Sequence, residues 1–289
     1  MRKPYLPVLP TPLLRNAVEA ALLEDLGQAG DVTSLATIAP DIRAEAVMNV
    51  RQDGIVAGLD VARAAFAALD ASTQFEALVA DGDHVQAGQD IARITGNGRS
   101  VMGAERVALN FLMHMSGIAT HTARFVAELQ GTNARVVCTR KTTPGLRAFE
   151  KYAVRCGGGT SHRYGLDDAI LIKDNHIAVC GGVAEAVARA KGYVGHLMAV
   201  EVEVDTLDQF RAALDAGATI VLLDNMDTDT LREAVAMGRG AMLEASGNVD
   251  LNTIRAIGET GVDYISTSKI TMAAGTLDIG LDIKLGVNG

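Results

Sequence analysis

The chain has 289 residues, 48% of them hydrophobic, 21% charged and 4% aromatic, with 30 glycines and a formal net charge of −9. This composition excludes a disordered, collagenous or coiled-coil chain and leaves one large domain or two of ordinary size. The acidic balance excludes a general nucleic-acid-binding surface, which needs an excess of Lys and Arg. Three cysteines, Cys138, Cys156 and Cys180, stand at no metal-ligand or redox-motif spacing, so free thiols in a reducing, cytoplasmic compartment are expected. No apolar run reaches the roughly 18 to 20 residues of a membrane span, and no membrane partner is expected. The basic tip Met1-Arg2-Lys3 is followed by four prolines by position 12, which break up a signal-peptide helix.

In chain order, the pattern predicts an N-terminal helix over about 13–27, strand-like alternation over 43–95 interrupted by a helix near 61–69, and tight turns of a small antiparallel unit over 81–89. A long amphipathic helix over roughly 104–130 follows, with its apolar positions at Val107, Phe111, Met115, Ile118, Thr122, Phe125 and Leu129. His114 and His121 on it read as packed or capped helix residues rather than metal ligands. From about residue 134, short β-branched runs alternate with helical stretches: 135–139, 169–172, 198–204, 219–223, 241–245 and 264–266. The last four recur about every 21 to 22 residues, one short βα unit each. Six such units, without a Gly-x-Gly-x-x-Gly fingerprint after the first, predict a parallel β/α barrel, complete or open, rather than a doubly wound sheet. Two domains are expected, divided near the long helix.

The charge is unevenly placed. Residues 135–173 carry eight Lys and Arg against three acids, a net +5 over 39 residues, which leaves −14 for the other 250. A cationic island in an acidic chain suggests a small anionic ligand; a solvated helical face is the alternative. In a parallel barrel the site lies at the carboxyl ends of the strands. Those ends read Arg140-Lys141, Lys173, Glu203, Asp224, Ser246-Gly247 and Thr267-Ser268-Lys269. Arg140, Lys141 and Lys173, with His162 and Arg163 from the connecting loop, form a cationic side suited to carboxylates. Glu203 and Asp224 form a facing carboxylate pair, suited to a hydrated Mg²⁺ or to sugar hydroxyls, or else simply neutralising Lys141 and Lys173. Ser246-Gly247-Asn248, ahead of a helix expected from about Leu251, and Thr267-Ser268 are candidate phosphate loops. The three glycines at 157–159 make a loop that either moves His162 and Arg163 onto a ligand or forms a static turn. Lys173 at a strand end also fits a Schiff-base aldolase, a reading that borohydride trapping of a carbonyl substrate tests. A non-catalytic anion-binding module is a third reading, and predicts binding without turnover.

The motifs together resemble the quinolinate phosphoribosyltransferase family, also called carboxylating nicotinate-nucleotide pyrophosphorylases. The matching stretches are Thr139-Arg140-Lys141-Thr142-Thr143-Pro144-Gly145-Leu146-Arg147, Gly157-Gly158-Gly159 with His162-Arg163-Tyr164-Gly165-Leu166, and Leu171-Ile172-Lys173-Asp174-Asn175-His176. Glu201-Val202-Glu203-Val204, Leu223-Asp224-Asn225-Met226, Glu244-Ala245-Ser246-Gly247 and, earlier, Glu105-Arg106-Val107-Ala108-Leu109-Asn110-Phe111 continue the match. A paralogous group associated with molybdate transport shares parts of this pattern. The resemblance implies an N-terminal α/β sandwich over 1–117, rejoined by 276–289, an open barrel over 118–275, and a homodimer with shared sites in which Arg106 reaches the neighbouring subunit. It implies that Arg140, His162, Arg163 and Lys173 hold quinolinate and that Thr139 also belongs to the substrate-binding set. Lys141, Glu203, Asp224, Ser246, Gly247, Asn248, Thr267, Ser268 and Lys269 would hold 5-phosphoribosyl 1-diphosphate and Mg²⁺, with Lys141, Glu203 and Asp224 catalytic and Glu203 and Asp224 nearest the metal. The implied products are nicotinate mononucleotide, diphosphate and carbon dioxide. Two stretches depart from the family pattern, which often has glycine where Asn248 stands and a small-residue segment with a His where Thr267-Ser268-Lys269-Ile270-Thr271-Met272-Ala273 stands; Lys269 offers a compensating charge.

Overall fold

A computed structural model of the chain describes residues 5–284; the expected basic tip and the last five residues of the expected returning segment lie outside the described residues. In chain order the elements are α1 (Thr11–Leu26), α2 (Val32–Thr37), β1 (Arg43–Val50), β2 (Gly54–Ile55), α3 (Leu59–Leu69), β3 (Gln74–Ala77), β4 (His84–Val85), β5 (Asp90–Asn97) and α4 (Gly98–Glu128). They continue as β6 (Arg135–Val137), α5 (Arg147–Cys156), β7 (Ile170–Ile172), α6 (Asp174–Cys180), α7 (Val183–Tyr193), β8 (Val200–Val204), α8 (Leu207–Asp215), β9 (Ile220–Asp224), α9 (Thr228–Met237), β10 (Met242–Ser246), α10 (Ile254–Gly258), β11 (Tyr264–Ser266), α11 (Lys269–Met272) and β12 (Ile279–Lys284). These elements form two compact units. The first comprises residues up to Ala123, Ala148–Gly158 and the segment from Ala274; the second comprises Arg124–Arg147 and Gly159–Ala273. The resemblance implies a change of unit at 117/118 and a return at 276, whereas packing places them at 123/124 and 274 and gives the segment 148–158 to the first unit.

In the first unit, β12-β1-β5-β3 form an antiparallel sheet, and β2 pairs with β4, which is the small antiparallel unit expected around 81–89. Leu277 donates its backbone N–H to Met113 O of α4 at 3.0 Å, which ties the returning segment to that helix. Helix α5 belongs here because its amphipathic face is apolar where it packs: Phe149 lies 5.5 Å from Phe111, ring centre to ring centre. Glu150 and Lys151 on α5 are fully buried, and Glu150 Oε1 sits 3.0 Å from His114 Nε2. Lys151 and Arg155 thus belong to the first unit and Arg140 to the second, so the +5 island divides between the two units. Tyr152 donates its hydroxyl to Asp81 at 2.7 Å, and Asp81 also accepts the N–H groups of Gly58 and Leu59, capping α3.

The second unit holds the six runs read from the sequence as six parallel strands in the order β6-β11-β10-β9-β8-β7. The first and second strands are the two edges, so this is an open β/α barrel with its seam between β6 and β7. Short helices cover the outside. Thr206 caps α8 by accepting the Gln209 N–H at 3.2 Å, and Asp227 caps α9 by accepting that of Thr230 at 2.8 Å.

Candidate active site

At the carboxyl ends of these strands lies a cleft of about 170 Å³. Of the expected residues, Thr139, Arg140, Lys141, His162, Arg163, Lys173, Glu203 and Ser246 line it, joined by Leu171, Leu222, Glu244 and Ser266. Two larger open clefts, of about 680 and 450 Å³, also lie on this unit, with mainly apolar linings such as Leu166, Ile170 and Val179 in the first, which shares Arg163 and Leu171 with this cleft, and Val194, Leu197 and Met198 in the second. Convergent charge, rather than size, marks the site.

The cationic wall is built from backbone outwards. Thr139 accepts the Lys141 N–H at 3.0 Å and Thr271 donates its hydroxyl to Lys141 O at 2.9 Å, which shapes the turn after β6. Arg147 braces the same turn through Thr142, Arg140 O and Tyr164 O, so it supports the wall rather than forming it. Arg163 donates one Nη1 bond to Ala169 O at 3.0 Å. The buried Nε atoms of Arg140 and Arg163 have no hydrogen-bond partner among the described residues. Burial, and then the neighbouring Arg140, pull Arg163 below the ordinary guanidinium range. Lys173, at the far edge of the sheet, pairs with Glu203. One alternative reading of the acids, neutralisation of the lysines, is thus realised at Glu203. Asp224 is not part of the cleft lining; its Oδ2 accepts from Asn225 Nδ2 at 2.7 Å.

Beneath the cations lies an acidic floor that the strand-end reading passes over. Glu201 and Glu244 are 7% and 6% exposed. His162 Nε2 sits 2.9 Å from Glu201 Oε2 and 3.7 Å from Glu244 Oε1. His162 Nδ1 accepts the Arg163 N–H at 2.8 Å, so Nε2 carries the ring proton and donates it to Glu201. Burial first, then the Glu201 charge, push the Glu244 carboxyl up to about 7, against the opposing pull of His162 and Ser266. The signal for these two acids is the two-residue period of a strand: Glu201 shares a face with Glu203, and Glu244 with Ser246.

The loops require correction. The segment 250–253 is a turn, in which Asp250 accepts the N–H groups of Asn252 and Thr253 at 2.9 and 3.1 Å, so α10 begins at Ile254 rather than near Leu251 and has five residues. Ser246-Gly247-Asn248 therefore does not open a helix, and the four-residue α11 after Thr267-Ser268 is equally too short for a macrodipole site. Thr267 is buried and donates to Val249 O at 3.1 Å, while Lys269 pairs with Asp250 at 3.2 Å. At Gly157 the backbone packs closely, since a Cβ there would lie 2.3 Å from Ala119 O, and Thr160 bridges to Val137 beside β6. At the tip of β10, Gly247 has φ +102° and Asn248 φ +51°, the left-handed region that asparagine tolerates best after glycine. A Cβ on Gly247 would stand 2.2 Å from Asn225 Oδ1 and 2.9 Å from Asn225 N. Gly247→Ala is expected to destabilise the protein by about 2 kcal/mol, read as a lower midpoint in urea unfolding.

The profile described as "Quinolinate phosphoribosyl transferase, C-terminal domain" matches residues 118–282, and the corresponding N-terminal domain matches residues 31–116. The chain belongs to the quinolinate phosphoribosyl transferase family. It is 41% identical to the probable nicotinate-nucleotide pyrophosphorylase (carboxylating) of Bacillus subtilis over 94% of both chains. It is 42% identical to a mitochondrial quinolinate phosphoribosyltransferase (decarboxylating) of Nicotiana tabacum, over 96% of this chain and 84% of that one. The structure of the nicotinate-nucleotide pyrophosphorylase from Francisella tularensis superposes with a TM-score of 0.92 at 41% identity, covering 96% of this chain and 98% of that one. Arg106 is not among the residues lining the cleft; it is exposed on α4 in the first unit.

Proposed function

We propose that this enzyme transfers the phosphoribosyl group of 5-phosphoribosyl 1-diphosphate to the ring nitrogen of quinolinate and releases diphosphate, carbon dioxide and nicotinate mononucleotide, a step of de novo NAD biosynthesis. The observation that carries the reading is the pair of buried guanidinium Nε–H groups on Arg140 and Arg163, which lack partners among the described residues, on two side chains that line the cleft with Lys141 and Lys173. Two donors of this kind suit two adjacent carboxylates on a flat ring. Held there, the ring nitrogen displaces diphosphate from the anomeric carbon, with Lys141 at the solvent-exposed mouth to meet the departing charge. Glu203, and Asp224 beyond it, stabilise positive charge growing on the ribosyl ring. Once the nitrogen is quaternary, its positive charge stabilises the electron pair left on the adjacent ring carbon as carbon dioxide leaves. Ser246, Gly247 and Asn248, with the Thr267-Ser268-Lys269 turn, contact phosphate through side chains and loop backbone instead of a helix end.

Mg²⁺ fits the donor set. Glu203 and Asp224 are partly exposed carboxylates at the ends of adjacent strands, which suits a hard cation that keeps most of its waters. Bound with the substrate, the ion supplies neutralisation of the diphosphate. Stripping divalent ions with a chelator is expected to abolish turnover, and added Mg²⁺ to restore it. A homodimer in which Arg106 completes the neighbouring cleft is supported by its exposed place on α4 and by the family resemblance. A cytoplasmic location is supported by three cysteines that form no disulfide, and no described helix is long and apolar enough to cross a membrane. Against a Schiff-base aldolase, the Lys173 amine is engaged by Glu203. The deciding assay supplies quinolinate, 5-phosphoribosyl 1-diphosphate and Mg²⁺: nicotinate mononucleotide is the expected product, and its absence overturns the reading.

A further inference from the structure

We infer that Glu244, on the floor of the cleft, is the acid that delivers the proton replacing the departing carboxyl group of the substrate. The inference rests on the reaction proposed above. When carbon dioxide leaves, the bond from ring carbon C2 to the carboxylate carbon breaks and its electron pair stays on C2, beside the quaternary nitrogen. The product carries hydrogen at C2. A proton must therefore arrive: the O–H bond of Glu244 breaks, a C2–H bond forms, and the Glu244 carboxylate takes a proton back from water before the next cycle.

The geometry selects Glu244 among the groups that line the cleft. Lys173 is bound to Glu203, and His162 has Nε2 directed at Glu201 and Nδ1 occupied by the Arg163 N–H. Arg140 and Arg163 are guanidiniums and poor acids, and Lys141 is exposed to solvent. Glu244 lines the cleft, is 6% exposed, and its Oε1 has no hydrogen-bond partner among the described residues. The groups around it are Glu201 and Glu203 from β8, His162 from the connection between β6 and β7, and Ser266 from β11, with Arg140 and Lys173 across the cleft. Two buried acids side by side do not both ionise cheaply. Glu201 already accepts from His162, which leaves Glu244 as the member that keeps its proton. Burial and the Glu201 charge raising Glu244 to about 7 agree with that assignment. A carboxyl poised there is present as acid below about pH 7 and is lost above it.

The test uses the full-length enzyme with quinolinate, 5-phosphoribosyl 1-diphosphate and Mg²⁺, following diphosphate and carbon dioxide separately in a single turnover. Glu244→Gln keeps shape and hydrogen bonding but has no acid proton. It is expected to slow carbon dioxide release ~100-fold more than diphosphate release, so that a nucleotide still carrying both carboxyl groups accumulates. Equal slowing of the two signals, or slowing of neither, overturns the inference. Ser266→Ala is the second arm: it removes the hydrogen bond that favours ionised Glu244, so the alkaline limb of the carbon dioxide profile is expected to move to higher pH. An unmoved limb also overturns it, and this arm stands even if Glu244→Gln fails to fold. A wild-type enzyme that makes no nicotinate mononucleotide defeats the parent reading, and this inference with it; a wild type that makes it, with unshifted variants, defeats this inference alone.

Discussion

Glu203→Ala and Lys141→Ala are each expected to lower diphosphate release from 5-phosphoribosyl 1-diphosphate by ~10²–10³-fold while leaving the protein folded. In the proposed reaction both groups would act on charge that exists chiefly in the transition state: the carboxylate on positive charge at the ribosyl ring, the ammonium on the leaving diphosphate. The loss should therefore fall on kcat more than on either KM. The fold tolerates both changes. Lys141 is exposed, and removing Glu203 leaves Lys173 with a side chain 45% exposed, so no buried charge is stranded. Near-native rates in both variants, with unchanged thermal unfolding, would remove Glu203 and Lys141 from the catalytic assignment.

Arg140→Ala should instead act on binding. Its buried Nε has no partner among the described residues, so a bound carboxylate gains a charge-assisted bond that nothing in the free protein replaces. Loss of a desolvated charged contact costs roughly 2–5 kcal/mol, which corresponds to an apparent quinolinate affinity at least about 30-fold weaker. The KM for 5-phosphoribosyl 1-diphosphate should change far less. Arg163→Ala is expected to follow the same direction, with an added cost because the Arg163 guanidinium also holds Ala169 O. Titration of quinolinate against each variant measures this directly, and an unchanged affinity in Arg140→Ala contradicts the placement of the dicarboxylate.

The strands were legible because β-branched runs of three to five residues stand between capped amphipathic helices, and both periods are visible without tertiary information. The residues closing each run were legible for the same reason. Glu201 and Glu244 were not, because they lie within the runs rather than at their ends; their meaning depends on two strands and one loop bringing three side chains within 4.8 Å. Helix α5 misleads in the opposite way. Its Glu150 and Lys151 look like solvated charge, yet both are buried in the first unit, where His114 from a distant helix meets Glu150. The phosphate loops were overread because Asp250 starts a side-chain-capped turn that delays α10, a competition between local bonding and helix that composition does not reveal.

The seam of the open barrel has a mechanical consequence. The acids Glu201, Glu203, Asp224 and Glu244 sit on β8, β9 and β10, which are joined strand to strand by backbone hydrogen bonds, so their spacing is set by the ladder. Arg140 and Lys141 follow β6, Lys173 follows β7, and His162 and Arg163 lie on the connection between them. Those two strands are the free edges of the sheet, with no ladder between them. The anionic floor is thus a rigid plate, whereas the spacing of the cationic jaws is governed by connections and side chains.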